Sequence, residues 1–175
     1  MKILDCTLRD GGYYTDWHFD NELVRRLVKS LDTNVDVIEL GYKSPIKGGP
    51  YRKCNDGFIK SVVNFDVSSK LSFMIDAKDY INRHYLLEDI IKPSGIFQIC
   101  RVAVKKSEIA NSLELIERIQ DLGYEVMCNL MQTSILEGAD IKYFTDSMDK
   151  VGVDVRYVAD SYGALKPMDV ESIFE

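Results

Sequence analysis

Residues 20–41 read Asp20-Asn-Glu-Leu-Val-Arg-Arg-Leu-Val-Lys-Ser-Leu-Asp-Thr-Asn-Val-Asp-Val-Ile-Glu-Leu-Gly41, and two periodicities meet in them. Over the first half, Leu23, Val24, Leu27, Val28 and Leu31 fall on one face of a 3.6-residue repeat, with Asp20 placed to cap the helix N-terminus. The second half, Val35 to Gly41, is a short apolar-rich strand. A helix running straight into such a strand is the repeating unit of a parallel β/α fold.

The same rhythm extends in both directions. Strands are predicted at Lys2 to Cys6, Val35 to Gly41, Leu71 to Asp76, Ile96 to Val104, Tyr124 to Met131 and Val155 to Asp160. Their starts recur at roughly 25 to 36 residues, the size of one strand plus its crossover helix. Glu108 to Leu122 repeats the helical pattern with Ile109, Leu113, Ile116 and Ile119 inward, and Gly123 stands where a left-handed C-cap belongs. Further helices are expected around Asp79 to Ile91, Ala139 to Val151 and Met168 to Glu175, the last opened by Pro167 with Asp169 and Glu171 in its first turn. Pro and Gly concentrate in Ser44 to Tyr51, a loop after the second strand. The fold class is therefore α/β, a parallel (β/α) barrel type in which six of eight units are present, forming one partial domain over residues 1–175.

Composition narrows the setting. The chain has 175 residues, 46% of them hydrophobic, and a formal charge of −6. It can bury a core, and without clustered Lys and Arg it lacks the electrostatics of a general nucleic-acid or anionic-membrane binder. No apolar run approaches the roughly 18 residues of a membrane span, which together with the charge points to a cytoplasmic protein. Cys6, Cys54, Cys100 and Cys128 have no metal-knuckle spacing and are expected to be buried small hydrophobes in a reducing compartment. Cys54, in a polar stretch, is the one that could face a pocket.

In parallel β/α folds the loops at strand C-termini build the site, so polar strand ends matter most. The first strand runs into Asp5-Cys-Thr-Leu-Arg-Asp-Gly-Gly-Tyr13. Continued as a strand, Asp5, Thr7 and Arg9 share a face, and a bend near Arg9 would bring Arg9 and Asp10 to one rim, with Gly11-Gly12 permitting a turn. Asp10 offers a hard oxygen ligand for a divalent cation, and Arg9 a permanent charge for a carboxylate or a developing enolate oxygen. The alternative is an internal Arg–Asp salt bridge closing the barrel end.

The stretch Asp5-Cys-Thr-Leu-Arg-Asp-Gly resembles the D-x-T-L-R-D-G signature of the DRE-TIM metallolyases, which include 3-hydroxy-3-methylglutaryl-CoA lyase, isopropylmalate synthase and 4-hydroxy-2-oxovalerate aldolase. Val37-Ile-Glu-Leu-Gly-Tyr42 is similar to that family's second strand with its inward Glu. Ala159-Asp-Ser-Tyr-Gly-Ala-Leu-Lys-Pro167 is similar to its sixth, and the aldolase branch is the nearest in pattern. The resemblance implies a (β/α)₈ barrel and Mg²⁺ or Mn²⁺ as cofactor, with Asp10 as a metal ligand. It implies that Arg9 stabilises the enolate of a pyruvate-like substrate, and that Glu39, Asn129, Gln132, Thr133 and Asp160 line the substrate cavity. The implied activity is carbon–carbon cleavage of a small 4-hydroxy-2-oxo acid. Two alternatives are a Claisen-type synthase joining an acyl-CoA to a 2-oxo acid, and a non-catalytic binding or regulatory protein on the same scaffold.

Three departures from the pattern set further expectations. Tyr13 stands where the family's aldolases carry a basic His, and a phenol with a reference pKa of about 10 is a poor base. Tyr13 and His18 are thus the candidate proton-transfer residues, His18 as a substitute base from the same loop. The only other histidine, His84, falls in a predicted helix where an ordinary surface position is expected. No H-x-H, the family's strand-seven metal motif, exists in the sequence. Since a closed barrel takes about 250 residues, the seventh and eighth strands and the other metal ligands are expected beyond residue 175. Two unpaired sheet edges would favour a homo-oligomer.

Overall fold

In the computed structural model, residues 2–81, 83–93 and 95–174 are described, apart from the side chains of His84 and Tyr85. The expectation for the His84 side chain therefore lies outside the described residues, as does the helical placement of Glu175. Six strands, β1 (Leu4–Asp5), β2 (Val37–Tyr42), β3 (Lys70–Asp76), β4 (Ile99–Val104), β5 (Glu125–Leu130) and β6 (Val155–Val158), lie side by side in chain order. Every neighbouring pair is parallel. The sheet curls into a half-barrel flanked by helices, with β1 and β6 as its edges among the described residues, so the incomplete parallel β/α barrel expected from the periodicity is what forms.

The crossover helices are α2 (Asn21–Leu31), α4 (Asp56–Val62), α5 (His84–Ile90), α6 (Ile109–Asp121) and α7 (Gly138–Lys150). Two more, α1 (Thr7–Thr15) and α3 (Pro50–Lys53), sit in the connections before α2 and α4, and α8 (Pro167–Phe174) comes last. The Asp20 carboxylate accepts the Leu23 N–H at 2.9 Å, so the predicted cap is in place. Gly123, at φ +88°, supplies the left-handed residue after α6. Two of the crossover helices differ from the sequence expectation. Helix α5 starts late because Ala77–Asp79 winds into a 3-10 turn capped by Asp76. Helix α4, absent from the expectation, is only seven residues long, too short for its buried Ile59 and Val62 to show a period.

The two faces of the sheet are built differently. Outward residues such as Phe73, Ile75, Cys100, Val102, Val104, Val126 and Cys128 are buried under the helices in one continuous apolar layer. Inward positions alternate with these. At the strand N-terminal end they form a small apolar floor of Val37, Ile99 and Met127, with Leu4, Val155 and Tyr157 packed on it. One step higher, apolar packing gives way to Glu39, Ser72, Arg101 and Asn129, all buried.

The segment after β1 corrects the extended reading of Asp5 to Arg9. The Asp5 carboxylate accepts both the Thr7 N–H at 3.1 Å and the Thr7 hydroxyl at 2.9 Å, and the Asp10 N–H donates to the Cys6 carbonyl at 2.9 Å. The strand therefore ends in a side-chain-closed turn that opens α1. Gly11 and Gly12 are helical and make no turn. A Cβ on Gly12 would lie 2.1 Å from the Trp17 ring nitrogen, so this glycine admits the indole against the helix. Trp17, buried, donates its ring N–H to the Arg9 carbonyl at 3.2 Å and pins that face of α1.

Candidate functional site

At the C-terminal end of the strands, on the concave face, is a cavity of about 520 Å³ lined by Arg9, Asp10, Tyr13, Tyr42, Met74, Asp76, Arg101, Asn129 and Asp160, with Met131, Ala103, Ala159 and Ser161 between them. That volume suits a small organic acid. Because α1 begins right after β1, Arg9 and Tyr13 stand one helical turn apart and both reach it.

A buried ion network lies beneath. Glu39, fully inaccessible, accepts the Arg9 Nε–H through Oε1 at 2.9 Å, and its Oε2 lies 3.3 Å from Arg101 Nε. Arg9 Nη1 also holds Asp10 Oδ1 at 2.6 Å. Burial pushes the Glu39 carboxyl up, while the two guanidinium groups pull against it. For Arg9, burial works against the charge, but Glu39, Tyr42 and Asp10 outweigh it and drive its pKa higher, so the guanidinium stays charged. One carboxylate thus fixes two cations on the cavity wall.

An aromatic group closes the other side. The Tyr13 and Tyr42 hydroxyls are 2.9 Å apart, both rings meet Trp17 edge-on, and the Arg52 guanidinium covers Trp17 at 4.2 Å. Tyr42 reaches the cavity because the β2–β3 register slips by one residue between Glu39 and Tyr42, setting Tyr42 beside inward-facing Met74. Gly41, within that slip, is passed so closely by the chain that a Cβ would lie 1.9 Å from the Tyr51 carbonyl oxygen. Burial, and then the bond to Tyr13, raise the Tyr42 pKa, so its proton is firmly held.

The residues nominated from sequence are only partly brought together. Arg9, Asp10, Tyr13, Asn129 and Asp160 share the cavity wall. Glu39 sits beneath it, holding the arginines. Thr133 turns away, its hydroxyl donating to the Leu130 carbonyl at 3.3 Å and its N–H to Ala159 at 3.0 Å. Gln132, in a left-handed conformation, donates its side-chain amide to the Tyr162 hydroxyl at 2.7 Å. His18 is exposed in the loop after α1 and is not among the lining residues. Asp160 Oδ2 accepts the Leu165 N–H at 2.8 Å, and that bond leads the backbone contacts that hold its carboxyl below the usual range. Cys54, the cysteine with a possible pocket role, is fully buried with its thiol on the Tyr51 carbonyl, and burial pushes its pKa up.

Arg101, Asp76 and Tyr42 are among the lining residues that were not nominated. Arg101 had a signal, being the one charged residue in the apolar run Ile99 to Val104, and Asp76 closes a predicted strand with a carboxylate. Tyr42 had none, because alternation assigns it to the face opposite Glu39.

The metal implied by the motif needs several converging hard ligands. Asp10 Oδ1 is held by Arg9, its Oδ2 accepts the Cys6 thiol at 3.2 Å, and no group of three His, Cys, Asp or Glu suited to a metal is found among the described residues. These residues do not by themselves fit a divalent ion.

Fold and rim together define a parallel β/α-barrel protein whose chemistry belongs to the strand C-terminal ends. No family model matches the chain. A 4-hydroxy-2-oxovalerate aldolase of Geobacillus genomosp. 3 is 28% identical over 97% of this chain and 51% of its own length. An oxaloacetate decarboxylase of Mycobacterium tuberculosis is 24% identical over 99% and 52%. Among solved structures, the N-terminal domain of a protein described as an aldolase, from Bacteroides vulgatus, superimposes with a TM-score of 0.82 at 28% identity, covering 99% of this chain and 59% of that one. The chain is thus similar in sequence to proteins named 4-hydroxy-2-oxovalerate aldolase and oxaloacetate decarboxylase, and in fold to the N-terminal domain of one described as an aldolase. It spans about half the length of the curated relatives it matches. Among the described residues no helix is long and apolar enough to cross a membrane.

Proposed function

We propose that this chain carries the enolate-stabilising half of a carbon–carbon lyase site acting on a small 2-oxo acid, with a 4-hydroxy-2-oxo acid as substrate. The observation that carries it is the pair of guanidinium groups, Arg9 and Arg101, fixed by one buried carboxylate at the edge of a cavity of about 520 Å³. In the cleavage, the C4 hydroxyl gives up its proton to solvent at the open rim beside exposed Tyr13, the C3–C4 bond breaks, and its electron pair becomes the enolate of pyruvate as an aldehyde leaves. Negative charge then gathers on the C2 oxygen, where Arg9 stabilises it without having to reorganise. Protonation at C3 completes pyruvate, and the Tyr13–Tyr42 pair, whose hydroxyls touch, supplies a proton on that side. Mg²⁺ or Mn²⁺ remains the cofactor that the resemblance implies, with Asp10 as this chain's candidate ligand; no step above depends on it.

A second reading, decarboxylation of a 3-carboxylated 2-oxo acid, is favoured by one observation. Tyr42, its hydroxyl 2.9 Å from that of Tyr13 on the cavity wall, holds its proton, and loss of carbon dioxide forms the same enolate with no prior proton abstraction. The printed name of the mycobacterial relative accords with it. The test follows pyruvate release from 4-hydroxy-2-oxovalerate and from oxaloacetate, with and without added Mn²⁺, for the wild-type chain and Arg9→Met. Pyruvate from the hydroxy acid, lost in Arg9→Met, supports cleavage; release from oxaloacetate alone supports the second reading. Release from neither overturns both.

A further inference from the structure

The two cavity arginines are not equally committed. Arg9 spends Nε on Glu39 at 2.9 Å and Nη1 on Asp10 at 2.6 Å. Arg101, buried in the centre of β4, has as its recorded partners among the described residues only Glu39 Oε2, at 3.3 Å and outside hydrogen-bond geometry, and the face of the Tyr157 ring at 5.3 Å. Ala103, the next inward residue of β4, is small and leaves the guanidinium access to the cavity. Around it the buried polar layer is left unsatisfied: among the described residues Glu39 Oε2, Ser72 Oγ and Arg101 Nε have no hydrogen-bond partner, and Glu39 and Ser72 are register neighbours. Buried polar atoms in native proteins nearly always find partners, so such a cluster beneath a cavity marks where a polar ligand completes the network.

We propose that Arg101 is the carboxylate receptor of the cavity, binding the C1 carboxylate of a 2-oxo acid through its free N–H edge while Asn129 flanks it and Arg9 faces the C2 oxygen. A planar fork of donors suits a carboxylate better than any other group in the cavity, and contact with the Tyr157 face leaves the in-plane donors unused. The proposal rests on the 2-oxo acid reading above and names the residue that selects the acid.

The probe is pyruvate, the product common to both reactions, with pyruvamide as its uncharged counterpart. Binding to the full chain is measured by ligand-observed NMR titration. In the wild type, pyruvate should bind at least about 10-fold tighter than pyruvamide. Arg101→Met should weaken pyruvate by about 10- to 100-fold, the range for a charge-assisted bond, and leave pyruvamide unchanged. Arg101→Lys keeps a cation opposite Glu39, and should fold even if the Met variant does not, yet lose much of the preference for want of the fork. Equal wild-type binding of the two probes, no pyruvate binding, or wild-type affinity in a folded Arg101→Lys or Arg101→Met protein would each overturn the proposal. Arg101-dependent pyruvate binding without any cleavage or decarboxylation would sink the reaction and leave the receptor standing, so the two failures are distinguishable.

Discussion

The outer and inner faces of this sheet come from the same strands and have opposite constitutions. On β3 and β4, the outward Phe73, Ile75, Cys100 and Val102 vanish into an apolar layer under the helices, while their neighbours Ser72 and Arg101 form a buried polar layer that is not self-sufficient. The outer face is closed by packing alone, where every added contact stabilises. The inner face holds two guanidinium groups around one carboxylate, an arrangement whose desolvation cost cancels much of its attraction. A fold seeking stability alone would have no reason to keep it, and the difference marks the inner face as the functional one.

Two substitutions of the largest size set the faces against each other. Phe73→Ala, which removes a buried ring packed edge-on against Phe97 and Tyr124, should cost about 3–5 kcal/mol in urea unfolding yet leave pyruvate affinity in the folded protein within about twofold. Glu39→Gln should cost a similar amount, about 3–5 kcal/mol, because it removes the buried charge that Arg9 and Arg101 share, and pyruvate binding should change with it. If Glu39→Gln left binding untouched, the two faces would not differ in role. Next, Gly12→Ala should destabilise by about 1–3 kcal/mol through its clash with the Trp17 indole, with near-ultraviolet circular dichroism reporting the displaced ring. Asn129→Ala should move stability less than these, by about 1 kcal/mol or less, since among the described residues its buried side chain has no hydrogen bond, and show its main effect as weaker ligand binding.

The smallest effect is one of pH. Asp32 accepts the Ser69 and Ser68 N–H groups at 2.9 and 2.8 Å, joining the end of α2 to the start of β3, and these bonds hold its carboxyl below the ordinary range. A depressed carboxyl contributes stability at all pH above its unfolded value near 4, and that contribution is lost as pH falls through the folded value. Asp32→Asn should therefore flatten the acid limb of the stability curve below about pH 4 without altering ligand binding. A change in binding at neutral pH would show that the strand N-terminal end is coupled to the cavity.

Much of the fold was legible because the signals were local and periodic. The run from Asp20 to Gly41 contained its own cap, apolar stripe and strand; the structure keeps the cap and the strand and buries Val24 and Val28, but leaves Leu23 of the stripe exposed. Arg9 and Asp10 could be read as a rim pair from their chemistry, though not in the right conformation. Gly11-Gly12 suggests a turn to a local reading, yet both are helical, and Gly12 leaves room for the Trp17 indole that folds back against α1. Tyr42 was hidden by a register slip of one residue, set by the partner strand. Arg101 was visible as a charge in an apolar run, but its partner Glu39 is 62 positions earlier in the numbering, and only the curl of the sheet brings them together.

The cysteines have a use unconnected with the cavity. Cys54, Cys100 and Cys128 are fully buried, and burial raises all three thiols, Cys128 to about 12, whereas Cys6 at the strand rim is partly accessible. Alkylation requires an exposed thiolate. Cys6 can be reached from the native surface, although burial and its bond to Asp10 raise its thiol as well, while the other three react only when the layer between sheet and helices separates. The chain thus carries a built-in clock for local opening: labelling rates resolved by peptide would time the loosening of the α3–α4 connection at Cys54 separately from that of the central strands at Cys100 and Cys128.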